Sequence, residues 1–433
     1  MSHTPRNILV VGAGPAAWRF VRAYHEGAEA AGRAADTITV LNDEPYIPYD
    51  RVAIEKIFKD TEKDLTLGDP ELWNAENINL VNNCHADKLD RTRRVVTDTE
   101  GNEYPYDVLV FATGSRAVRI PILNSDAAHV FRTIDDVKNM VSEVKRLQDT
   151  LGRAPRGIVV GGGLLGLEAA EGLKDLGAEP TILDVAPWLL SVEVDQGGGY
   201  AVNAQIKATG IEIETGVYIS GINKDADGNV VSVSIADSPS EDAEIRTLPA
   251  DMVVFGAGIR PNDELARDAD LALGERGGIL VNDACHSSDE HIWAIGEVAC
   301  VLGRTWGLVA PANAMADAVA ANLLNDNEEA QVEEFDIATK LKFSGVQVAG
   351  FGDRRGTTEG CLEVLFADPA RGMYQKIVTS GDAKTLLGGV FVGDTAPFDS
   401  LKPLLGRELP AEPNVYLTAA GGGDGIPDTE LPD

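Results

Sequence analysis

Ile8-Leu9-Val10-Val11-Gly12-Ala13-Gly14-Pro15-Ala16-Ala17 is an apolar run that breaks into a glycine-rich turn. Ile158-Val159-Val160-Gly161-Gly162-Gly163-Leu164-Leu165-Gly166 repeats the pattern further along the chain. Each apolar run predicts a buried strand, and each turn opens a stretch with helical periodicity. The first glycine makes the strand-to-helix turn, and the second lets the backbone approach a pyrophosphate. The third position must be small for close helix packing, and the pyrophosphate then rests on exposed amides at a helix N-terminus. Ala17 is small enough for that third place. Gly12, Gly14, Pro15, Ala16 and Ala17 are thus one candidate cradle, and Gly161, Gly163, Leu164, Leu165 and Gly166 a second. Either motif alone could be a mere turn. The pair, each with a strand before it and an acid after it, predicts two dinucleotide folds of the α/β class.

The acids indicate which dinucleotides. The strand Ile38-Thr39-Val40-Leu41 runs into Asn42-Asp43-Glu44, and Pro180-Thr181-Ile182-Leu183 runs into Asp184. A carboxylate there accepts hydrogen bonds from a ribose diol, whereas a 2′-phosphate would be repelled and would need an arginine. Val185-Ala186-Pro187-Trp188 supplies no arginine, so Asp184 favours NADH over NADPH. A chain holding two dinucleotides usually passes electrons between them, one resident and one visiting.

Composition sets outer bounds. The 433 residues are too many for one ordinary core and suggest about three domains. The net charge of -32, from 69 acidic against 37 basic residues, opposes binding to nucleic acid or to an anionic membrane. The acids are spread along the chain, as on a solvated surface. Neither a secretory signal nor an apolar run long enough to span a bilayer is present, so a cytoplasmic protein is expected. Cys84, Cys285, Cys300 and Cys361 form no Cys-x-x-Cys pair, and the six histidines show no ligand spacing, so no metal site is expected.

Punctuation by glycine divides the rest. Val108-Leu109-Val110-Phe111-Ala112-Thr113-Gly114 reads as a buried parallel strand stopping at a turn, and Met252-Val253-Val254-Phe255-Gly256-Ala257-Gly258 repeats it. A helical stretch follows Arg132-Thr133-Ile134-Asp135-Asp136 and ends near Gly152, and Asp225-Ala226-Asp227-Gly228-Asn229 signals a hairpin. Ile292-Trp293-Ala294-Ile295-Gly296-Glu297 precedes a helix led by Pro311. From about residue 333 strand-like segments such as Val346-Gln347-Val348-Ala349 predominate. The expected domains are 1–118 with 249–332, 119–248, a mainly β (α+β) domain over 333–417, and a flexible tail over 418–433.

With these pieces in place the chain resembles the two-dinucleotide flavoprotein pyridine-nucleotide reductases, and within them the front portion of the large subunit of assimilatory NADH nitrite reductases. The resemblance rests on Pro45-Tyr46-Ile47-Pro48-Tyr49-Asp50-Arg51, Gly161 to Glu168, Ala294-Ile295-Gly296-Glu297, Gly307-Leu308-Val309-Ala310-Pro311 and Thr339-Lys340-Leu341-Lys342. It implies two Rossmann-like domains in a glutathione-reductase-like arrangement, with FAD on the first fingerprint, over residues 1–118 and 249–332, and NADH on the second. Asp43 or Glu44 would hold the FAD ribose. Arg51, Thr113, Gly114, Gly296, Glu297 and Pro311 would surround the flavin nucleotide, with Gly256 and Gly258 closing the second site. Lys56 and Glu168 match a lysine and a glutamate that pair beside the flavin, although Ile54-Glu55-Lys56 departs from the usual local sequence. Glu168 also reads simply as an acid in the first turn of its helix, favoured by the dipole.

The resemblance further implies hydride transfer from NADH to FAD, with electrons then passing to an iron–sulfur or sirohaem protein. Residues 43 to 60 lack the redox cysteine of the disulfide reductases. The cysteine-rich portions that follow in nitrite reductases are not among these residues, so this stretch is not expected to reduce nitrite unaided. A ferredoxin or rubredoxin reductase serving an oxygenase, an NADH oxidase, and a flavin-bound redox sensor are the alternatives. The β domain is expected to cover the flavin or to form a homodimer interface.

Overall fold

The computed structural model describes residues 4–417 apart from Ala34, Ala35, Glu241, Asp336 and Ser344. The expected flexible tail, 418–433, lies outside the described residues. The chain forms two compact units. One comprises the residues up to Lys56, Glu62–Arg116 and Ile259–Phe335; the other comprises Ile57–Thr61, Ala117–Gly258 and the chain from Ile337 onwards.

The first unit is built on a five-stranded parallel sheet in the order Ile78–Asn82, Thr37–Asn42, Asn7–Val11, Val108–Phe111, Ile292–Ala294. Ile8, Leu9, Val10 and Val11 are all buried, which is why their strand reads as a continuous apolar run and does not alternate. A three-stranded antiparallel meander, Ala86–Asp90, Val95–Asp98 and Glu103–Pro105, returns the chain to the central sheet. The helices Pro15–Ala30 and Val309–Asn325 pack together. Phe20, Val21 and Tyr24 of the first and Met315, Ala316 and Val319 of the second are buried, and Arg19 makes a two-pronged bond to Asp317 at 2.7 and 2.8 Å.

The second unit repeats the plan. Its parallel sheet runs Glu212–Thr215, Glu179–Asp184, Arg156–Val160, Met252–Phe255, His129–Val130, and its meander is Tyr218–Lys224, Val230–Ala236 and Arg246–Pro249. The helix Ile134–Leu151 starts in a capping box of Thr133 and Asp136 and ends at Gly152. The hairpin turn forms where it was expected, with Asp225 N–H donating to the Asn229 carbonyl at 2.9 Å. Because Met252–Phe255 pairs with Arg156–Val160, the chain crosses back to the first unit at Ile259 and not at residue 249. The chain from Ile337 onwards contributes a five-stranded antiparallel sheet in the order Thr339–Phe343, Val346–Gly352, Leu386–Val392, Met373–Thr379, Leu362–Asp368.

Both fingerprints sit above the carboxyl end of the strand where the order reverses, the crevice at which open α/β sheets bind ligands. A β-carbon on Gly12, at φ +102°, would stand 2.3 Å from the Ala112 carbonyl oxygen. One on Gly161, at φ +121°, would stand 2.4 Å from that of Gly256. The third position differs between the units. Ala17 is tolerated and fully buried, whereas a β-carbon on Gly166 would lie 1.9 Å from the Gly161 oxygen. Urea unfolding should therefore show Ala17→Gly costing about 1 kcal/mol, and Gly166→Ala costing about 2–3 kcal/mol by overpacking, although alanine is the better helix former.

Candidate functional site

The longer helices differ at their N-termini. Ile134–Leu151 and Gln196–Ala208 are capped by the side chains of Thr133 and Asp195. Pro15–Ala30 and Leu164–Asp175 start behind Gly14 and Gly163, which offer no capping side chain, and neither helix has an acid in its first turn. A β-carbon on Gly14 or Gly163 would meet nothing within 4 Å. The first turns thus keep amide donors that no side chain caps, from Ala16 onwards in one, since Pro15 has no N–H, and from Leu164 and Leu165 in the other, a donor set suited to a diphosphate. The helix Val309–Asn325 also lacks a side-chain cap and a first-turn acid. It begins two residues before Pro311, which sits buried in its first turn.

Around the first fingerprint the first unit gathers a polar shell. Glu44 accepts hydrogen bonds from Tyr49 Oη at 2.7 Å and Arg51 Nη2 at 2.6 Å, and the Arg51 guanidinium lies over the Tyr49 ring. Burial works against the Arg51 charge, but Tyr49, Glu44 and Glu297 outweigh it and hold its pKa above the ordinary value. Asp43 is instead exposed and lies 3.1 Å from His85 Nδ1. Glu297 accepts from the buried Ser115 hydroxyl. The preceding Gly296, at φ +74°, approaches so closely that a β-carbon would stand 2.9 Å from that of Ala16.

Asn262 escaped the sequence reading. Its Nδ2 donates to the Thr113 carbonyl at 2.9 Å, its carbonyl accepts from Thr113 Oγ1 at 2.7 Å, and its N–H donates to the Gly114 carbonyl at 3.0 Å. The turn Thr113–Gly114 is thereby clamped. The signal was Arg260-Pro261-Asn262 just after Gly258, where proline fixes the backbone ahead of an amide that both donates and accepts.

In the second unit Asp184 braces its own fingerprint. Oδ2 accepts from Gly162 N–H and Oδ1 from Ala186 N–H at 2.8 Å; burial pushes the carboxyl pKa up against these amides. Leu190 N–H donates to the Gly162 carbonyl at 2.8 Å. Gly256 is buried behind Gly161 and Gly166 as a packing surface, while Gly258 is exposed. Glu168 is half-buried at the fifth position of the helix Leu164–Asp175, past the first turn, so the dipole does not account for it. Lys56 is exposed and is the last residue of the first unit before Ile57. The segment that follows it lies on the helix carrying Glu168. A β-carbon on Gly172, one turn beyond Glu168, would run into the Phe58 ring, and Lys59 Nζ pairs with Asp175 at 3.1 Å.

All four cysteines are free thiols. Among the described residues no cluster of His, Cys, Asp and Glu could hold a metal ion, and no helix is long and apolar enough to cross a membrane.

A family model described as pyridine nucleotide-disulphide oxidoreductase matches residues 6–321, and one described as the rubredoxin NAD+ reductase C-terminal domain matches 338–409. The nitrite reductase (NADH) large subunit of Escherichia coli strain K12 is 36% identical over 98% of this chain and 49% of its own length. The NADH-rubredoxin oxidoreductase of Clostridium acetobutylicum is 28% identical over 80% of this chain and 81% of its own. The chain spans about half the length of that nitrite reductase relative. A crystal structure of the covalent putidaredoxin reductase–putidaredoxin complex shares the fold, with a TM-score of 0.77 at 24% identity over 96% of each chain. Arg51→Met would leave Glu44 without its cation. Urea unfolding is expected to show a loss of about 2 kcal/mol.

Proposed function

Since the chain belongs to the pyridine nucleotide-disulphide oxidoreductase family, we propose that it is an FAD-dependent NADH reductase acting in the cytoplasm, in which the first unit binds FAD and the second binds NADH. The observation that carries this reading is the doubled cradle: two parallel sheets of matching order, each topped by a helix whose first amides have no cap. When bound, the flavin would take a hydride equivalent from NADH and release electrons one at a time to an iron–sulfur or sirohaem acceptor.

The chain's own residues bind and orient. Gly14 and the first turn after it receive the FAD diphosphate, while Asp43 and Glu44 serve its ribose end. Glu44 is already committed to Arg51 and Tyr49, which leaves the exposed Asp43 the freer of the two. Thr113, Gly114, Gly296 and Glu297 line the nucleotide, with Ser115 and Asn262 holding them in place. In the second unit Gly163 and its turn receive the NADH diphosphate. Asp184 has both oxygens on backbone amides, and its remaining lone pairs are available to ribose hydroxyls. Lys56 and Glu168 are the charged residues assigned to steadying the reacting rings. That reading is supported by the packing of the segment after Lys56 on the Glu168 helix. Residues 337–417 serve as an interface domain.

A rubredoxin or ferredoxin reductase is the second reading, favoured by the match over 338–409. Turnover with purified rubredoxin, compared with turnover by a sirohaem protein, separates the two.

The first test is the flavin spectrum of the purified protein, followed by anaerobic titration with NADH and NADPH. Bleaching by NADH at much lower concentration is expected, and a protein that takes up no flavin would sink the proposal. Asp184→Asn should raise the KM for NADH roughly 10- to 100-fold, the worth of a charged hydrogen bond, with the flavin spectrum unchanged. Stopped-flow reduction by NADH should slow about 100-fold in Lys56→Ala or Glu168→Ala. An unchanged rate in both variants removes the assigned pair.

A further inference from the structure

The loop 185–195 joins Asp184 to the helix Gln196–Ala208, and it is held at both ends by different parts of the second unit. At its start, Asp184 and Leu190 bond to the two backbone groups of Gly162 in the fingerprint. At its end, Asp195 is gripped by the antiparallel sheet. Asp195 Oδ2 accepts from Tyr374 Oη at 2.7 Å and lies 2.7 Å from Lys376 Nζ, while Oδ1 caps the helix by accepting from Gly198 N–H at 3.0 Å. Between the two ends, Arg355 donates to the Ser191 carbonyl. Leu189, Leu190 and Val194 are buried, so movement at one end has no slack in which to dissipate.

Lys376 stands out energetically. Its side chain is 2% exposed and touches two carboxylates, Asp195 and, at 3.0 Å, Glu363. Burial works to lower its pKa, but the bonds to Asp195 and Glu363 prevail and hold it above the ordinary lysine value. A buried ion pair adds little net stability over an apolar filling of the same shape; what it adds is a fixed geometry. The geometry fixed here is that of Asp195. The fit is close as well, since a β-carbon on Gly197 would stand 2.3 Å from the Tyr374 ring.

We infer that the C-terminal antiparallel sheet sets the affinity of the second cradle for its dinucleotide through Lys376, Tyr374 and Arg355, which act as positioning residues on the loop 185–195. The sheet thereby takes part in donor binding through Asp195 and Ser191, besides whatever interface it provides. The inference rests on the reading that the second cradle takes NADH.

The test uses the purified chain loaded with FAD, with ferricyanide as electron acceptor, and three variants: Lys376→Met, Tyr374→Phe and Arg355→Ala. Each is expected to raise the KM and the titrated Kd for NADH by roughly 2- to 30-fold, the range of coupling through packed networks. The kcat at saturating NADH and the flavin content should stay at wild-type values. A merely structural role would instead lower kcat or shed flavin along with stability. If Lys376→Met does not fold, the two milder variants decide. NADH affinity unchanged in Tyr374→Phe and Arg355→Ala, or a fall in kcat at constant KM, overturns the inference. If the wild-type protein itself binds flavin but no NADH, the reading of the second cradle has failed and not the coupling.

Discussion

A backbone collision shapes both fingerprint turns. The first glycine of each fingerprint is pressed against the carbonyl at the end of the neighbouring strand, Ala112 in one unit and Gly256 in the other, with no room for a β-carbon. The turn is therefore tight enough that the next residues enter a helix at once. That helix begins without a side-chain cap, and its amides are left for a ligand. Were the strands spaced to admit a side chain there, the turn would widen and the donor set would scatter. The other site features act on this constraint: Gly296 closes on Ala16, and Asp184 holds Gly162.

The two cradles solve the same steric problem with different residues. The first uses alanine at positions 17 and 112, while the second uses glycine at 166 and 256, which pack directly on one another and on Gly161. Their acids also differ. In the first unit the strand-end carboxylate Glu44 is tied to Arg51 and Tyr49, side chains brought in by the segment after it. In the second the carboxylate is tied to the fingerprint's own backbone.

Much of this was legible because the relevant signals are local. Gly12 and Gly161 follow their strands directly, Thr133 and Asp136 make a capping box within four residues, and Asp225 and Asn229 close a hairpin. What escaped is non-local. Asn262 clamps a turn 149 positions away in the chain, Ser115 finds Glu297 across 182, and Lys376 meets Asp195 only once the antiparallel sheet packs on the helix Gln196–Ala208. The boundary near 249 was misread for the same reason. An apolar strand before a glycine turn suits either sheet, and only the register of Met252–Phe255 against Arg156–Val160 decides which it joins.

The two sheets also differ in when they can be completed. Every strand of the second sheet lies between His129 and Phe255, so it can close from one uninterrupted stretch of chain. The first sheet needs Ile292–Ala294, and its helix Pro15–Ala30 needs Val309–Asn325, both made only after the whole second sheet has emerged. During synthesis the amino-terminal half of the first core therefore waits with one edge and one helix face uncovered. The stretch between, 117–258, holds every strand of the second parallel sheet and can pair them before those pieces are made.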